Sequence, residues 1–257
     1  QKWPYEKGSR IKLFVLAGHR NMEGERAFVQ ELKTLQGELL SDNHRIAYTY
    51  SIGGGYRKSV GWEPLGPAGY YDTFGPELSF GSTLDNKLDD NIAIAKFTHS
   101  GSQMNDWTPE GSMAKTRHLY PDFIAFIKDS VKQLQDKGHE VELTGIFYHV
   151  GENEMSMPSY RKNAAIWLQS TVTQSRQDLA APELRWYVSQ QPPTDHERVN
   201  TIDVTGQIAS VASADRNLMH VKVFDLPDQP KQLVVDTAGV VHLGQVIAKK
   251  YLQATSR

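Results

Sequence analysis

A short apolar run that stops at a glycine and re-enters as a helix constrains this chain more than any other feature. Ile11-Lys12-Leu13-Phe14-Val15 reads as a strand buried on both faces. Leu16-Ala17-Gly18-His19-Arg20-Asn21-Met22-Glu23-Gly24 follows it. Glu25 to Gln36 then carries Ala27, Phe28 and Leu32 at helical spacing, with Leu35 just beyond. A strand that turns into a helix through Gly-x-x-Asn delivers polar side chains to the carboxyl edge of a parallel sheet. Open α/β folds bind and transform ligands at that edge.

The alternation continues along the chain. Ile92 to Thr98, Val141 to Tyr148, Leu184 to Val188 and Val221 to Phe224 read as further core strands. A helix opens at Gly75-Pro76-Glu77, with proline at an early position and Leu78, Leu84 and Leu88 facing inward. Tyr120 to Lys137 is amphipathic and stops at Gly138. Tyr160 to Leu179, Ile202 to Ala214 and Gly244 to Thr255 complete the helices. Asp42 to Tyr50 is either a short edge strand or a loop. Ser51 to Gly75 is a glycine-rich insertion whose aromatic content predicts packing over disorder. The expected fold is a three-layer α/β/α arrangement on a parallel five-stranded sheet. Its 257 residues fit one domain spanning 1–257, long enough to bury about three quarters of the extended-chain surface.

Composition removes several function classes. A net charge of −2, with no block of five like charges, argues against a nucleic-acid partner held by bulk charge. No apolar run approaches the roughly 18 residues a membrane span needs. The absence of cysteine excludes disulfides, thiolate metal sites and a cysteine nucleophile. A chain starting at Gln1 fits a secreted or periplasmic protein whose signal peptide has been removed.

The Gly18–Gly24 block resembles the first block of the SGNH hydrolases, whose fold is flavodoxin-like. It is most similar to the branch of acetylxylan esterases and sialate O-acetylesterases, where the run is usually Gly-Gln-Ser-Asn-Met-x-Gly. This chain keeps the glycines, Asn21 and Met22, but has His19 in place of Gln and Arg20 in place of the nucleophilic Ser. Gly75-Pro76-Glu77 is similar to the start of the family's second helix. His99-Ser100-Gly101-Ser102 matches a turn whose glycine, here Gly101, supplies an oxyanion-hole N–H. His149-Val150-Gly151-Glu152-Asn153-Glu154 matches a second block, in which Asn153 would donate to the oxyanion. The resemblance makes His242 the base. The acid expected three residues earlier is replaced by Gly239, and Asp236 lies three residues further upstream.

A guanidinium is permanently protonated and attacks no carbonyl, so the resemblance implies a loss of ordinary acyl-enzyme chemistry. The expectation is a hydrolase repurposed to cleave a glycosidic bond in an anionic poly- or oligosaccharide. Arg20 would clamp the anion, and His242 with one carboxylate among Glu23, Glu152 and Glu154 would transfer protons. His19, Asn21, His99, Gly101, His149 and Asn153 would line the pocket. In the family, Glu23 and Glu152 also occur as residues that hold loop backbone, and His149 as an ordinary family residue. Two alternatives stand beside this one: a non-catalytic carbohydrate-binding protein, and an O-acetylesterase using Ser100 or Ser102. No short metal-binding motif such as His-x-x-x-His occurs, so neither a metal nor another cofactor is expected.

Overall fold

A computed structural model describes residues 2–41, 43–152, 158–192, 204–226 and 233–256. Eight strands form one sheet: β1 (Arg10–Gly18), β2 (Asn43–Ile52), β3 (Arg57–Lys58), β4 (Glu63–Leu65), β5 (Asn91–Thr98), β6 (Glu140–Val150), β7 (Trp186–Gln190) and β8 (Leu218–Lys222). Their order is β3-β2-β5-β1-β6-β7-β8, with β4 also paired to β2. From β2 to β8 all neighbours are parallel, while β3 and β4 run antiparallel to β2. The chain leaves β1 toward β2 on one side and returns through β5 to β6 on the other. The carboxyl end of β1 therefore sits where strand order reverses, the usual ligand crevice of such sheets.

The helices are α1 (Arg20–Glu23), α2 (Val29–Gln36), α3 (Glu77–Asp85), α4 (Tyr120–Asp136), α5 (Pro158–Asp178), α6 (Val204–Ala214) and α7 (Thr237–Thr255). Alternate β1 side chains separate two cores. Ile11, Leu13, Val15 and Ala17 pack with Phe123 and Ile127 of α4, Leu168 of α5 and Ile208 of α6. Phe14 and Leu16 pack with Leu32 of α2, Phe80 of α3 and Ile247 of α7. Burial on both faces explains why β1 reads as a continuous apolar run. Contact between α3 and α7 requires a glycine. A β-carbon on Gly244 would overlap the Pro76 carbonyl and the Ser79 hydroxyl.

The three layers match the expectation; the strand count does not. Six parallel strands replace the expected five, because Asn43–Ile52 is a full strand beside β5. Its Thr49 and Ser51 are buried, so polar residues conceal a core strand. The last parallel strand sits at Leu218–Lys222, three residues before the expected start. The final helix starts at Thr237 and not at Gly244. Asp236 caps it by accepting the Gly239 N–H at 2.9 Å, and that cap carries the helix through Gly239 and two valines. This shift places His242 inside a helix, where the sequence suggested a loop.

Candidate functional site

Directly after β1 the chain forms the four-residue turn α1 and leaves it through Gly24, whose φ is +88°. A β-carbon there would overlap the Phe74 carbonyl, so the insertion is seated directly on this turn. Asn21, Met22 and Glu23 of α1 are buried and Arg20 alone reaches solvent.

Asn21 joins three loops. Its backbone N–H donates to Glu152 Oε1 at 3.0 Å. Its side-chain amide donates to the Leu233 carbonyl at 2.9 Å and to Gln191 Oε1, and its Oδ1 accepts the Val235 N–H at 2.9 Å. Glu23 joins two more, accepting from Gly53 N–H at 3.0 Å and from the Thr98 hydroxyl at 3.1 Å. Beneath them, Lys96 and Glu77 form a wholly buried ion pair at 2.9 Å. Lys96 Nζ also donates to the Met22 carbonyl at 3.2 Å, and the Tyr48 hydroxyl donates to Glu77. Burial beside that carboxylate raises the Tyr48 hydroxyl well above its ordinary pKa.

His19 and His149, at this edge, are buried and neutral. Burial, with the nearby His149 and His99 adding to it, lowers His19 to about 3. Burial lowers His149 to about 4, a Gln191 hydrogen bond working against it. Each faces a serine: His19 Nδ1 lies 2.7 Å from Ser102 Oγ, and His149 Nδ1 lies 2.8 Å from Ser189 Oγ. The first pair is not a nucleophile and base. Ser102 spends its proton on the His99 carbonyl at 2.7 Å and accepts the Trp107 indole N–H at 3.0 Å. This assigns the Nδ1–H tautomer to His19, whose Nε2 then accepts from the Tyr148 hydroxyl at 3.1 Å. The His19 imidazole gives a proton to the serine oxygen and does not take one.

The predicted site residues fall into two groups. Contacts bring Asn21, Glu23, Glu152, His19, His99 and His149 together around the ends of β1, β5 and β6, with the His99 N–H on the Gly18 carbonyl at 3.1 Å. Gly101 sits in the turn after β5, its carbonyl held by Arg117 at 2.8 Å. Arg20 places Nη1 3.5 Å from Glu25 Oε2, its side chain 37% exposed, and its buried Nε has no partner among the described residues. His242 pairs with a different residue. Its Nε2 lies 3.0 Å from Asp225 Oδ1, and that hydrogen bond lowers the Asp225 carboxyl below its usual range. Asp236 caps α7 by accepting the Gly239 N–H. Leu233 and Val235, upstream of His242, meet α1 through Asn21, and neither has a titratable side chain. Asn153 and Glu154 lie outside the described residues.

The two glutamates expected to work with His242 are both buried. Glycoside cleavage needs two carboxyl groups facing a sugar-sized gap. Glu23 is 5% exposed and Glu152 fully buried, and each accepts backbone N–H groups instead. Among the described residues no group of three metal-ligating side chains converges. The sequence reading missed Gln191, the Lys96–Glu77 pair and Asp225. A lysine inside the apolar run Ile92–Phe97 was the available signal, since buried lysines demand a partner.

Comparison with known proteins agrees with this architecture. A family model described as carbohydrate esterase, sialic acid-specific acetylesterase, matches residues 10–253. Comparison of the sequence with curated proteins gives no match. A solved structure of a protein from Arabidopsis thaliana is similar at 18% identity, with a TM-score of 0.68 and coverage of 94% of this chain and 98% of that one. NanS is similar at 14% identity, with a TM-score of 0.66 and coverage of 97% and 99%. A carbohydrate acetylesterase from Xanthomonas citri is similar at 12% identity, with a TM-score of 0.61 and coverage of 93% and 56%. At these identities the structures speak for the fold alone, an SGNH-type hydrolase fold. The family model speaks for ester chemistry and lends nothing to the expected glycosidic cleavage. With 244 consecutive positions matched (253 − 10 + 1), the chain belongs to the sialic acid-specific acetylesterase family of carbohydrate esterases.

Proposed function

We propose that this chain uses the esterase scaffold to bind an acidic carbohydrate, and that it does so without the serine acyl-enzyme route. The observation that carries the reading is Arg20. It occupies the first helical position after β1, where the family resemblance expects the attacking hydroxyl, and it is the one α1 side chain turned to solvent. A guanidinium recognises a carboxylate through two parallel hydrogen bonds. Glu25, 3.5 Å away and itself partly exposed, is the partner that a sugar carboxylate would displace. The buried ties of Asn21, Glu23 and Glu152 support a rigid rim, which lowers the ordering cost of binding. An extracytoplasmic location goes with such a ligand.

Calorimetric titration with N-acetylneuraminic acid tests the proposal. Saturable binding is expected, weakened about 10- to 100-fold in Arg20→Ala, as loss of a charge-assisted contact of about 1.5–3 kcal/mol requires. Equal binding of the sugar and its methyl ester would remove Arg20 from recognition.

A second reading rests on one contact. His242 and Asp225 at 3.0 Å keep the base–acid half of a hydrolytic triad, with His242 only partly exposed. Ester hydrolysis by water through that pair would depend on His242 and be indifferent to Arg20.

A further inference from the structure

A cavity of about 620 Å³ lies away from the Arg20 edge, between the N-terminal segment, the start of β2, β4 and the end of α4. Ala47 of its wall is in register with Ala93, which is in register with Leu13. That level is five residues, about 16 Å, before Gly18 along the strands. The cavity and the α1 turn are thus separate places on the molecule.

Two tryptophans line it. Trp3 is fixed before any ligand arrives: its indole N–H donates to His139 Nε2 at 2.8 Å, its ring meets Tyr5 edge-on at 5.2 Å, and Lys137 Nζ lies 4.4 Å over its face. Trp62 turns its N–H inward, where it is buried without a partner among the described residues, so its hydrocarbon surface is what remains for the cavity. The charged groups around these rings cancel. Lys2 and Lys137 stand beside Glu63 and Asp136, the latter already paired with Lys132 at 2.6 Å, and His44 and the Gln133 amide complete the polar lining.

This combination selects a ligand class. With two lysines and two carboxylates in the lining, no excess of one sign favours an ionic ligand. A neutral polyhydroxylated ring suits both sets, because each hydroxyl donates to a carboxylate and accepts from an ammonium while its C–H face lies on an indole. The volume falls within the range of about 300–1,000 Å³ typical of small-molecule sites. Rings immobilised in advance lose little freedom on binding. We infer that this cavity is a second carbohydrate site, specific for uncharged oligosaccharide and independent of Arg20.

The test is titration of the full chain with cellotetraose and xylotetraose, followed by calorimetry and tryptophan fluorescence. Saturable binding of at least one is expected, unchanged in Arg20→Ala and weakened about tenfold or more in Trp62→Ala. Should Trp62→Ala fold poorly by circular dichroism, Gln133→Ala at the rim is expected to weaken binding severalfold in a chain that melts normally. No saturation with either sugar overturns the inference. So does binding that disappears in Arg20→Ala and survives in Trp62→Ala and Gln133→Ala, since that pattern belongs to the α1 edge. Failure here leaves the N-acetylneuraminic acid titration unaffected, so the two claims are separable.

Discussion

The turn after β1 and the start of α7 carry comparable sets of ionisable residues and use them in opposite ways. Around α1, His19, His149, Glu23 and Glu152 are buried and committed to serine hydroxyls or backbone N–H groups. Near α7, His242 and Asp225 meet at the surface, with Asp225 76% exposed and free to titrate. The first set is fixed in place because burial strips water from each group and obliges it to find a partner. The second is chemically available because solvent still reaches it. Ionisable residues collected at a sheet edge therefore say little about chemistry until their burial is known.

The largest effect should come from the ion pair beneath α1. Lys96→Met leaves Glu77 charged, buried and unpaired, and should cost about 3–5 kcal/mol, a melting drop of roughly 6–20 °C. Adding Glu77→Leu should return most of that loss. A single variant that melts like wild type would mean that the α1 region is not built on this pair.

Asn21→Ala comes next. It strands the buried Val235 N–H and removes the bonds to Gln191 and Leu233, which keep other partners, and should cost about 1–3 kcal/mol by thermal or urea unfolding.

Acid is the third probe. His19 and His149 titrate near 3 and 4 in the folded chain, against 6.5 for an ordinary histidine. Above pH 6.5 both states are neutral and the two groups do not affect stability. Below it the unfolded chain takes up protons that the folded chain refuses. Stability should thus fall by about 1.4 kcal/mol per pH unit per histidine between pH 6.5 and 4. Melting curves across that window should show the slope, and His149→Asn should reduce it.

The smallest effect belongs to the other region. His242→Ala removes a surface pair and should change stability by less than about 1 kcal/mol. A larger loss would erase the contrast between the two regions.

Much of the fold was legible in the chain. Strand–helix alternation at Ile11–Gln36 fixes a parallel sheet with helices on both faces, because only burial on both sides permits such runs. β2 was harder to read, since Thr49 and Ser51 dilute its apolar signal although both are buried. The start of α7 was misplaced because Gly239 and the β-branched Val240 and Val241 are weak helix formers, while one aspartate cap decides the matter. For the site, sequence brought His19, Asn21, Glu23, His149 and Glu152 to the carboxyl edge of the sheet and could not tell which way they face. Glu23 and Glu152 look like acids in a list of residues, and only the positions of Gly53 and Asn21 reveal them as backbone acceptors. Asp225 carried no motif at all and emerges only from the pairing with His242.

Release of acetate from an aryl acetate, by the wild-type chain beside His242→Ala, addresses the central claim most directly. The account predicts that the two proteins are indistinguishable and near the uncatalysed rate, because Arg20 provides no attacking oxygen. Rapid turnover by the wild-type chain that vanishes in His242→Ala would contradict it and restore a working esterase.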